Sequence, residues 1–405
     1  MITKLFIDNY KGFDKTFIPI ENVNFLVGDN STGKSTVMDL LYLIDHNHNP
    51  FIFKFNQDSK MGNFFDMVNR YSDDKSYFSF ACEKKIDDKR CFFKWKFTND
   101  NGAASVVEYQ STANNKTIIL SKKKNDNVEL YTRATEDDFR LWIEHSTSDY
   151  FEDIDKKSEN GLLFDLMVGD KTLFLKVLSQ KDMLRFSPVR AQAKPYYDSY
   201  ERDFVPEGDH IAFFLKSCFD KRNGKTNSII ETLNQFGQES SLFEGVEVES
   251  YSGSGSSSPF SLDLKYGKVK INISNVGYGV SQVMPLIVEM LRRKKTQIAI
   301  PQPEVHLHPK AQCAFGTLVF KNWRDNANSY LLETHSEYMI NRFRYEMHHA
   351  EKKPKGEAQV LFFERTEAGN VITVMPIGKN GRFNCEIPDS YGDFFVDEEL
   401  RMLDL

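Results

Sequence analysis

The stretch Val23-Asn24-Phe25-Leu26-Val27-Gly28-Asp29-Asn30-Ser31-Thr32-Gly33-Lys34-Ser35-Thr36 decides how this sequence folds. Its apolar start predicts a buried strand, and the part from Gly28 to Ser35 matches the pattern GxxxxGK[ST] at every fixed position. Apolar residues then recur with helical spacing over Thr36–Ile44. A strand before the pattern and a helix after it are the context that a phosphate-binding loop requires. We call Gly28–Ser35 the phosphate loop.

Chemistry assigns roles to the positions of the phosphate loop. Its backbone amides are expected to turn toward phosphate oxygens, and the N-terminus of the following helix adds a favourable dipole. The Lys34 ammonium is expected to reach the β- and γ-phosphates of ATP, and the Ser35 hydroxyl to bind Mg²⁺. The residues that we expect to contact the nucleotide in this segment are Asn30, Ser31, Thr32, Gly33, Lys34, Ser35 and Thr36.

Composition and charge limit the class of protein. The 405 residues are 40% hydrophobic and 27% charged, which is typical of soluble globular chains with one large domain or a few average ones. We see no apolar run long enough to cross a membrane and no signal peptide, and therefore expect a cytoplasmic protein without a membrane partner. The net charge of −6 argues against nonspecific nucleic-acid binding by the whole surface, and leaves a local basic groove for DNA open.

Periodicity along the chain predicts three parts. Residues 1–57 and 260–405 are expected to form a discontinuous core around the phosphate loop. Residues 58–130 alternate aromatic runs with polar turns, which predicts an antiparallel β lobe. Residues 131–259 are expected to form an inserted helical lobe, with helix over most of 136–184 and 211–236. The predicted fold class is α/β, with a mixed central sheet, the β lobe and the helical lobe.

Three further segments indicate which class of phosphate-loop protein this is: Asn275–Gln282, Ile298–Pro309 and Leu331–Ser336. Together with the phosphate loop they resemble the ATP-binding-cassette ATPases. The chain is more closely similar to the stand-alone heads of the structural-maintenance-of-chromosomes and overcoming-lysogenization-defect groups. The opening Ile7–Phe13 resembles the "NF(K/R)xF" start of those heads, and Phe186–Ala191 resembles a motif of bacterial AAA-family relatives.

The resemblance implies roles for residues outside the phosphate loop. Gly279 and Ser281 fall in the signature segment, which meets the γ-phosphate of ATP bound to a neighbouring subunit. Two heads would thus enclose two nucleotides, head to tail. His335 fits the switch histidine at the γ-phosphate, and Lys11 fits a basic residue near the nucleotide. Taken alone, Gly277–Gln282 fits a glycine turn before a core helix equally well.

The sequence departs from the family pattern where two acidic residues are usual, the first near Mg²⁺ and the second polarising the attacking water. Pro301 and Gln302 stand there instead. Glutamine orients water but cannot take its proton. Glu304 is the nearest carboxylate and is expected to substitute in part. We therefore expect ATP binding with slow hydrolysis, and the catalytic candidates are Gln302, Glu304 and His335.

The resemblance extends to the ATPase subunit of Septu-type anti-phage systems. It implies a dimer, or an assembly of dimers, that controls a separate effector, a nuclease. The residues that follow His335 are fewer than a nuclease domain of the lysogenization-defect type needs, so we expect no nuclease within this sequence. Two alternatives stay open. One is an ATP-dependent scaffold that does not hydrolyse, and the other is a DNA-maintenance ATPase without a nuclease of its own.

Overall fold

The computed structural model describes residues 1–47, 53–55, 61–86, 89–113, 116–122, 128–134, 137–145, 152–153, 183–198, 203–221, 224–251 and 259–395. The chain divides into two compact units. The first comprises Met1–Ile20, Asp29–Met183 and Phe363–Val374, and the second comprises Glu21–Gly28, Leu184–Phe362 and Met375–Leu405. The boundary at Gly28 places the start of the phosphate loop in the second unit and the rest of it in the first.

An eight-stranded sheet with the order β2-β1-β4-β5-β6-β7-β8-β9 forms the first unit, and each neighbouring pair is antiparallel. Its strands are β1 (Ile2–Asp8), β2 (Thr16–Pro19), β4 (Tyr77–Ile86), β5 (Lys89–Asp100), β6 (Ala103–Ala113), β7 (Lys116–Lys122), β8 (Val128–Ala134) and β9 (Glu152–Asp153). Its helices are α1 (Lys34–His46), α2 (Phe64–Met67) and α3 (Phe139–Glu144).

Aromatic side chains bury one another along this sheet. Phe78 and Phe97 face each other across β4 and β5, with ring centroids 4.8 Å apart. Phe92 packs on Trp142 of α3, and both rings are buried. Burial of such large rings contributes strongly to the hydrophobic stabilisation of this unit.

The second unit is built around a six-stranded sheet with the order β10-β14-β15-β3-β16-β17 and a three-stranded sheet with the order β11-β12-β13. The strands are β3 (Val23–Gly28), β10 (Met183–Arg185), β11 (Gly245–Ser250), β12 (Phe260–Tyr266), β13 (Val269–Asn272), β14 (Gln297–Pro301), β15 (Ser329–Glu333), β16 (Ala358–Thr366) and β17 (Gly369–Ile377). Met183 of β10 and the facing ends of β16 and β17 belong to the first unit.

The helices of the second unit are α4 (Ile211–Lys221), α5 (Gly224–Ser240), α6 (Tyr278–Arg292), α7 (Pro309–Asn326) and α8 (Glu337–His349), with a 3-10 turn at Ile273–Asn275. Its core joins apolar side chains of β3, β14 and β15 to those of α6, α7 and α8. Strands β14, β15 and β3 are buried along their whole length, as parallel strands covered on both faces are.

The central parallel strands position the candidate site. β14 pairs with β15, and β15 with β3, all in the same direction. Their carboxyl ends, Pro301, Glu333 and Gly28, therefore lie at one edge of the sheet, where ligands of open α/β sheets bind. The residues that follow these ends include Gln302, Glu304 and His335 in the second unit, and the chain continues from Gly28 into the phosphate loop.

The α/β fold is confirmed, and the strand and helix on either side of the phosphate loop lie where the sequence predicts them. The helix expected over 136–184 is wrong in part: α3 ends at Glu144, and β9 and β10 are strands. Residues 154–182 lie outside the described part of the chain. β11 lies within 131–259, where the sequence predicts helices. Among the described helices, none has the length and apolar character needed to cross a bilayer.

Candidate nucleotide-binding site

Gly33 fixes the geometry at the end of the phosphate loop. It is the N-cap of α1 with a φ of 101°, in the left-handed region that favours glycine. A Cβ at this position would lie 2.3 Å from Cζ of Phe13, so a side chain there meets a buried ring as well as backbone strain. Glycine is therefore favoured where the loop enters α1, and the N-terminus of a helix is a favourable place for an anion.

Lys34 and Thr32 are bonded into the loop itself. The Lys34 ammonium donates to the carbonyl of Asp29 at 2.7 Å, and the Thr32 hydroxyl donates to the same oxygen at 2.8 Å. Lys34 is only 3% exposed. Because a lysine ammonium carries three donors and a positive charge, this arrangement places a cationic side chain inside the phosphate loop.

The remaining predicted positions of the loop lie at its surface. Asn30, Ser31 and Ser35 are exposed, and Thr36 is half-buried in the first turn of α1. Ser31 adopts a φ of 63°, and its carbonyl accepts a hydrogen bond of 2.6 Å from Nη2 of Arg365. The structure thus gathers the predicted loop residues in one place and adds Arg365, which the sequence had not indicated.

Lys11 lies in the first unit with the phosphate loop. It has a φ of 51°, and its N–H donates to the carbonyl of Met67 at 2.6 Å. Burial lowers the pKa of the Lys11 ammonium, and the carboxylates of Asp39 and Asp66 partly offset this by raising it. Asp39 belongs to α1, so a carboxylate of the helix that follows the phosphate loop acts on the charge of Lys11.

In the second unit, the strand β14 ends at the two positions where acidic residues are usual. Pro301 is its last residue, and Gln302 turns the chain with a φ of 46°. The N–H of Gln302 donates to the carbonyl of Glu333 at 2.7 Å, so the turn continues the pairing with β15. The backbone of this segment is thus fixed by its neighbouring strand, while its side chains provide no carboxylate at these two positions.

Glu304 is held by the segment that follows β15. Its Oε2 accepts the hydroxyl of Thr334 at 2.9 Å, and its Oε1 accepts the N–H of His335 at 2.7 Å. Burial raises the pKa of the Glu304 carboxyl, and these hydrogen bonds oppose the rise. A carboxylate with a raised pKa is a better proton acceptor near neutral pH than an ordinary one, which is a property of catalytic bases.

A buried arginine underlies this turn. Arg190 is 4% exposed, and its Nη2 donates to the carbonyl of Pro301 at 2.7 Å and to that of Gln302 at 3.4 Å. Burial lowers the pKa of its guanidinium to about 10, and the charge of Glu304 opposes this shift. Arg190 belongs to the motif Phe186–Ala191 noted in the sequence. The motif indicated that this segment matters, but not that Arg190 binds the turn after β14.

Gly279 and Ser281 lie in the first turn of the helix α6, which starts at Tyr278. A Cβ on Gly279 would lie 2.4 Å from the carbonyl oxygen of His306, so the helix start touches the loop after β14. The Ser281 hydroxyl donates to the carbonyl of Tyr278 at 3.0 Å, and the residue is buried. Gly279 thus has a packing role in addition to any contact with a nucleotide.

His335 lies in the segment that follows β15, with Thr334 between it and the strand. Its ring stacks on that of Phe394 at an interplanar angle of 28°, with centroids 6.0 Å apart, and the residue is half-buried. The structure therefore brings Gln302, Glu304 and His335 together in the second unit, with Arg190 beneath them. Lys11 and the loop residues from Asn30 to Thr36 lie in the first unit.

The chain is similar to known proteins in sequence and in fold. The sequence matches the AAA ATPase domain family over residues 1–165 and 198–340. No curated protein matches it closely enough to count as a relative. An SMC head bound to the C-winged helix domain of ScpA has a TM-score of 0.52 and 12% identity, covering 93% of this chain and 98% of that chain. This likeness shows the fold alone.

A second solved structure is an SMC head domain with an extended coiled coil, bound to the C-terminal domain of ScpA from Pyrococcus furiosus. Its TM-score is 0.49 at 12% identity, covering 99% of each chain.

Proposed function

Because the chain belongs to the AAA ATPase domain family, we propose that it binds Mg·ATP at the phosphate loop. The observation that carries the proposal is the buried Lys34 inside a loop that Gly33 turns into the N-terminus of α1. A buried cation and a helix N-terminus both favour a polyphosphate. The exposed hydroxyl of Ser35 is the group that would bind Mg²⁺, which neutralises phosphate charge when it is bound.

The proposal includes dimerisation through the nucleotide sites. Gly277 caps the start of α6 with open space around it, and the next residue, Tyr278, is 54% exposed. This end of the signature segment is therefore accessible to a second subunit, whose γ-phosphate would meet the N-terminus of α6. Pairing of two heads in this way makes association depend on ATP.

We further propose that the paired heads control a separate effector, a nuclease, in a bacterial anti-phage defence complex. The support is the resemblance of the four sequence segments to Septu-type ATPase subunits. The SMC head in the first solved structure is bound to a domain of another protein, ScpA. A head of this fold with its own partner surface is consistent with an effector that binds outside the nucleotide site.

A second candidate function is an ATP-dependent scaffold that assembles without turnover. One observation favours it: Pro301 and Gln302 leave the end of β14 without a carboxylate, and both oxygens of Glu304 already accept hydrogen bonds. Hydrogen bonds to the charged carboxylate oppose the rise in the pKa of Glu304, so they weaken it as a proton acceptor, although each oxygen keeps a second lone pair.

The test is calorimetric titration of the full chain with Mg·ATP, followed by measurement of phosphate release and of molar mass by light scattering with and without ATP. Lys34→Ala is expected to abolish ATP binding, and Lys85→Ala, which removes an exposed lysine of β4, is the control. Equal affinity of Lys34→Ala and the native chain would overturn the proposal. ATP binding with ATP-dependent pairing but no phosphate release would favour the scaffold.

A further inference from the structure

The turn between β16 and β17 packs against the candidate nucleotide site within the first unit. The N–H of Asn370 donates to the carbonyl of Gly12 at 2.6 Å. Gly369 has a φ of 128°, and a Cβ there would lie 2.7 Å from the same carbonyl oxygen. The tip of the β16–β17 hairpin is therefore in backbone contact with the turn that carries Lys11. We call residues 365–370 the hairpin tip.

The side chain of Asn370 extends this contact to the phosphate loop. A Cβ on Gly12 would lie 2.4 Å from Nδ2 of Asn370, and a Cβ on Gly33 would lie 3.0 Å from the same atom. The amide of Asn370 thus occupies the space that two glycines leave, one beside Lys11 and one before Lys34. Three segments that are distant in sequence meet here, and the hairpin tip is one of them.

Arg365 brings a positive charge to this meeting point. Its Nη2 donates to the carbonyl of Ser31 at 2.6 Å, and the residue is exposed. A carbonyl acceptor leaves the guanidinium charge uncompensated, and in the described part of the chain Arg365 forms no ion pair with a carboxylate. The guanidinium carries five N–H donors in a rigid fork, so donors remain for a second acceptor beside the phosphate loop.

We propose that Arg365 binds a phosphate group of the nucleotide and that the hairpin tip forms a third wall of the phosphate site. Lys11, Lys34 and Arg365 then surround the phosphate loop with three cations in one unit. Planar guanidinium suits phosphate because two parallel N–H groups can meet two phosphate oxygens. This inference rests on the proposed binding of ATP and adds a ligand from the C-terminal hairpin.

The experiment is calorimetric titration of the purified full chain with Mg·ATP and with Mg·ADP. Four variants are compared: Arg365→Ala, Arg365→Lys, Arg365→Gln and Arg90→Ala. The last removes an exposed arginine of β5 in the same unit and is the matched control. Loss of one charge-assisted contact to phosphate is expected to weaken ATP binding about tenfold in Arg365→Ala, with no change in Arg90→Ala.

The variants Arg365→Lys and Arg365→Gln distinguish two roles of Arg365: binding a phosphate group and supporting the backbone of the phosphate loop. Lysine keeps the charge, and we expect Arg365→Lys to recover part of the affinity. Glutamine keeps a neutral donor for the Ser31 carbonyl, and we expect Arg365→Gln to bind as weakly as Arg365→Ala. A larger loss for ATP than for ADP would identify the γ-phosphate as the group bound, and equal losses would identify an inner phosphate.

Two outcomes would overturn the inference while leaving ATP binding intact. One is native affinity in Arg365→Ala together with lost binding in Lys34→Ala. The other is native affinity in Arg365→Gln, which would show that the residue only supports the loop backbone. Absence of ATP binding by the native chain would instead overturn the proposed function, and this inference with it.

Discussion

The carboxylate of Glu304 is hydrogen-bonded to the backbone N–H of His335 at 2.7 Å. This bond joins the loop after β14 to the segment after β15. The family resemblance gives the switch histidine to His335, and Glu304 is the nearest carboxylate to the usual acidic positions. A shift of Glu304 must therefore either break this bond or move the backbone of His335. The two catalytic candidates are thus linked by a direct hydrogen bond.

Replacement of Gln302 by glutamate should increase hydrolysis. Gln302→Glu supplies a proton acceptor at the second of the two usual acidic positions, and a positioned general base typically contributes about 100-fold or more. We expect phosphate release to rise at least about tenfold with little change in ATP affinity. Gln302→Asn keeps a neutral amide and is the control. A Gln302→Glu rate equal to the native rate would contradict the role assigned to this position and favour the scaffold.

The raised pKa of Glu304 predicts how stability depends on pH. Because burial raises its pKa in the folded state, the folded chain keeps this proton to higher pH than the unfolded chain does. Its contribution to the free energy of unfolding is therefore fully present below the ordinary carboxyl pKa and is lost as pH rises through the raised value. The test is to measure the melting temperatures of the native chain and of Glu304→Gln between about pH 4 and pH 8. The melting temperature of the native chain should fall relative to that of Glu304→Gln as pH rises.

Glu351 provides the reference for this measurement, because its side chain is exposed. The difference in melting temperature between the native chain and Glu351→Gln should stay nearly constant over the same range. A difference for Glu304→Gln that is equally constant would show that its carboxyl titrates with an ordinary pKa.

The phosphate loop and the strand and helix beside it could be predicted because their signals are local. The fixed spacing of Gly28, Gly33 and Lys34 is read within eight residues, and the chain on either side has clear apolar periodicity. The position of His335 after a strand was predictable for the same reason. Such features depend on neighbouring residues and need no knowledge of the tertiary fold.

Arg190 in the second unit and Arg365 in the first each bind a residue that is distant in sequence. Arg190 and Pro301 are 111 positions apart, and Arg365 and Ser31 are 334 apart. A lone arginine has no periodicity, so nothing near it in sequence identifies its acceptor. The strand β11 was missed because its apolar and acidic alternation is short, and the partner that defines it, β12, begins only at Phe260.

Removal of the Arg190 guanidinium should destabilise the second unit. Arg190→Met keeps the apolar stem but leaves the carbonyls of Pro301 and Gln302 without this donor in a buried place. We expect a loss of about 2–4 kcal/mol in the free energy of unfolding, measured with urea. Arg190→Lys keeps a charge and a donor, and its loss should be smaller. A loss under about 1 kcal/mol for Arg190→Met would contradict a role in holding this turn.

The two glycines at the start of α6 offer a matched pair of substitutions. In Gly279→Ala the new methyl would lie 2.4 Å from the carbonyl oxygen of His306, a backbone atom that no side-chain rotation can move away. In Gly277→Ala it would meet nothing within 4 Å, and the φ of −58° suits alanine. We expect Gly279→Ala to lose about 1–3 kcal/mol of stability and Gly277→Ala to change by less than about 0.5 kcal/mol.

The same pair tests whether the start of α6 must fit the loop after β14 for two subunits to associate. Since Gly279→Ala has to displace His306, it should reduce ATP-dependent pairing in light scattering even at temperatures where the variant is fully folded. Gly277→Ala leaves that contact intact. Any loss of pairing in this variant would therefore show that the exposed start of α6, at Gly277 and Tyr278, touches the second subunit. If both variants pair like the native chain, α6 does not form the subunit contact, and the dimer must use another face.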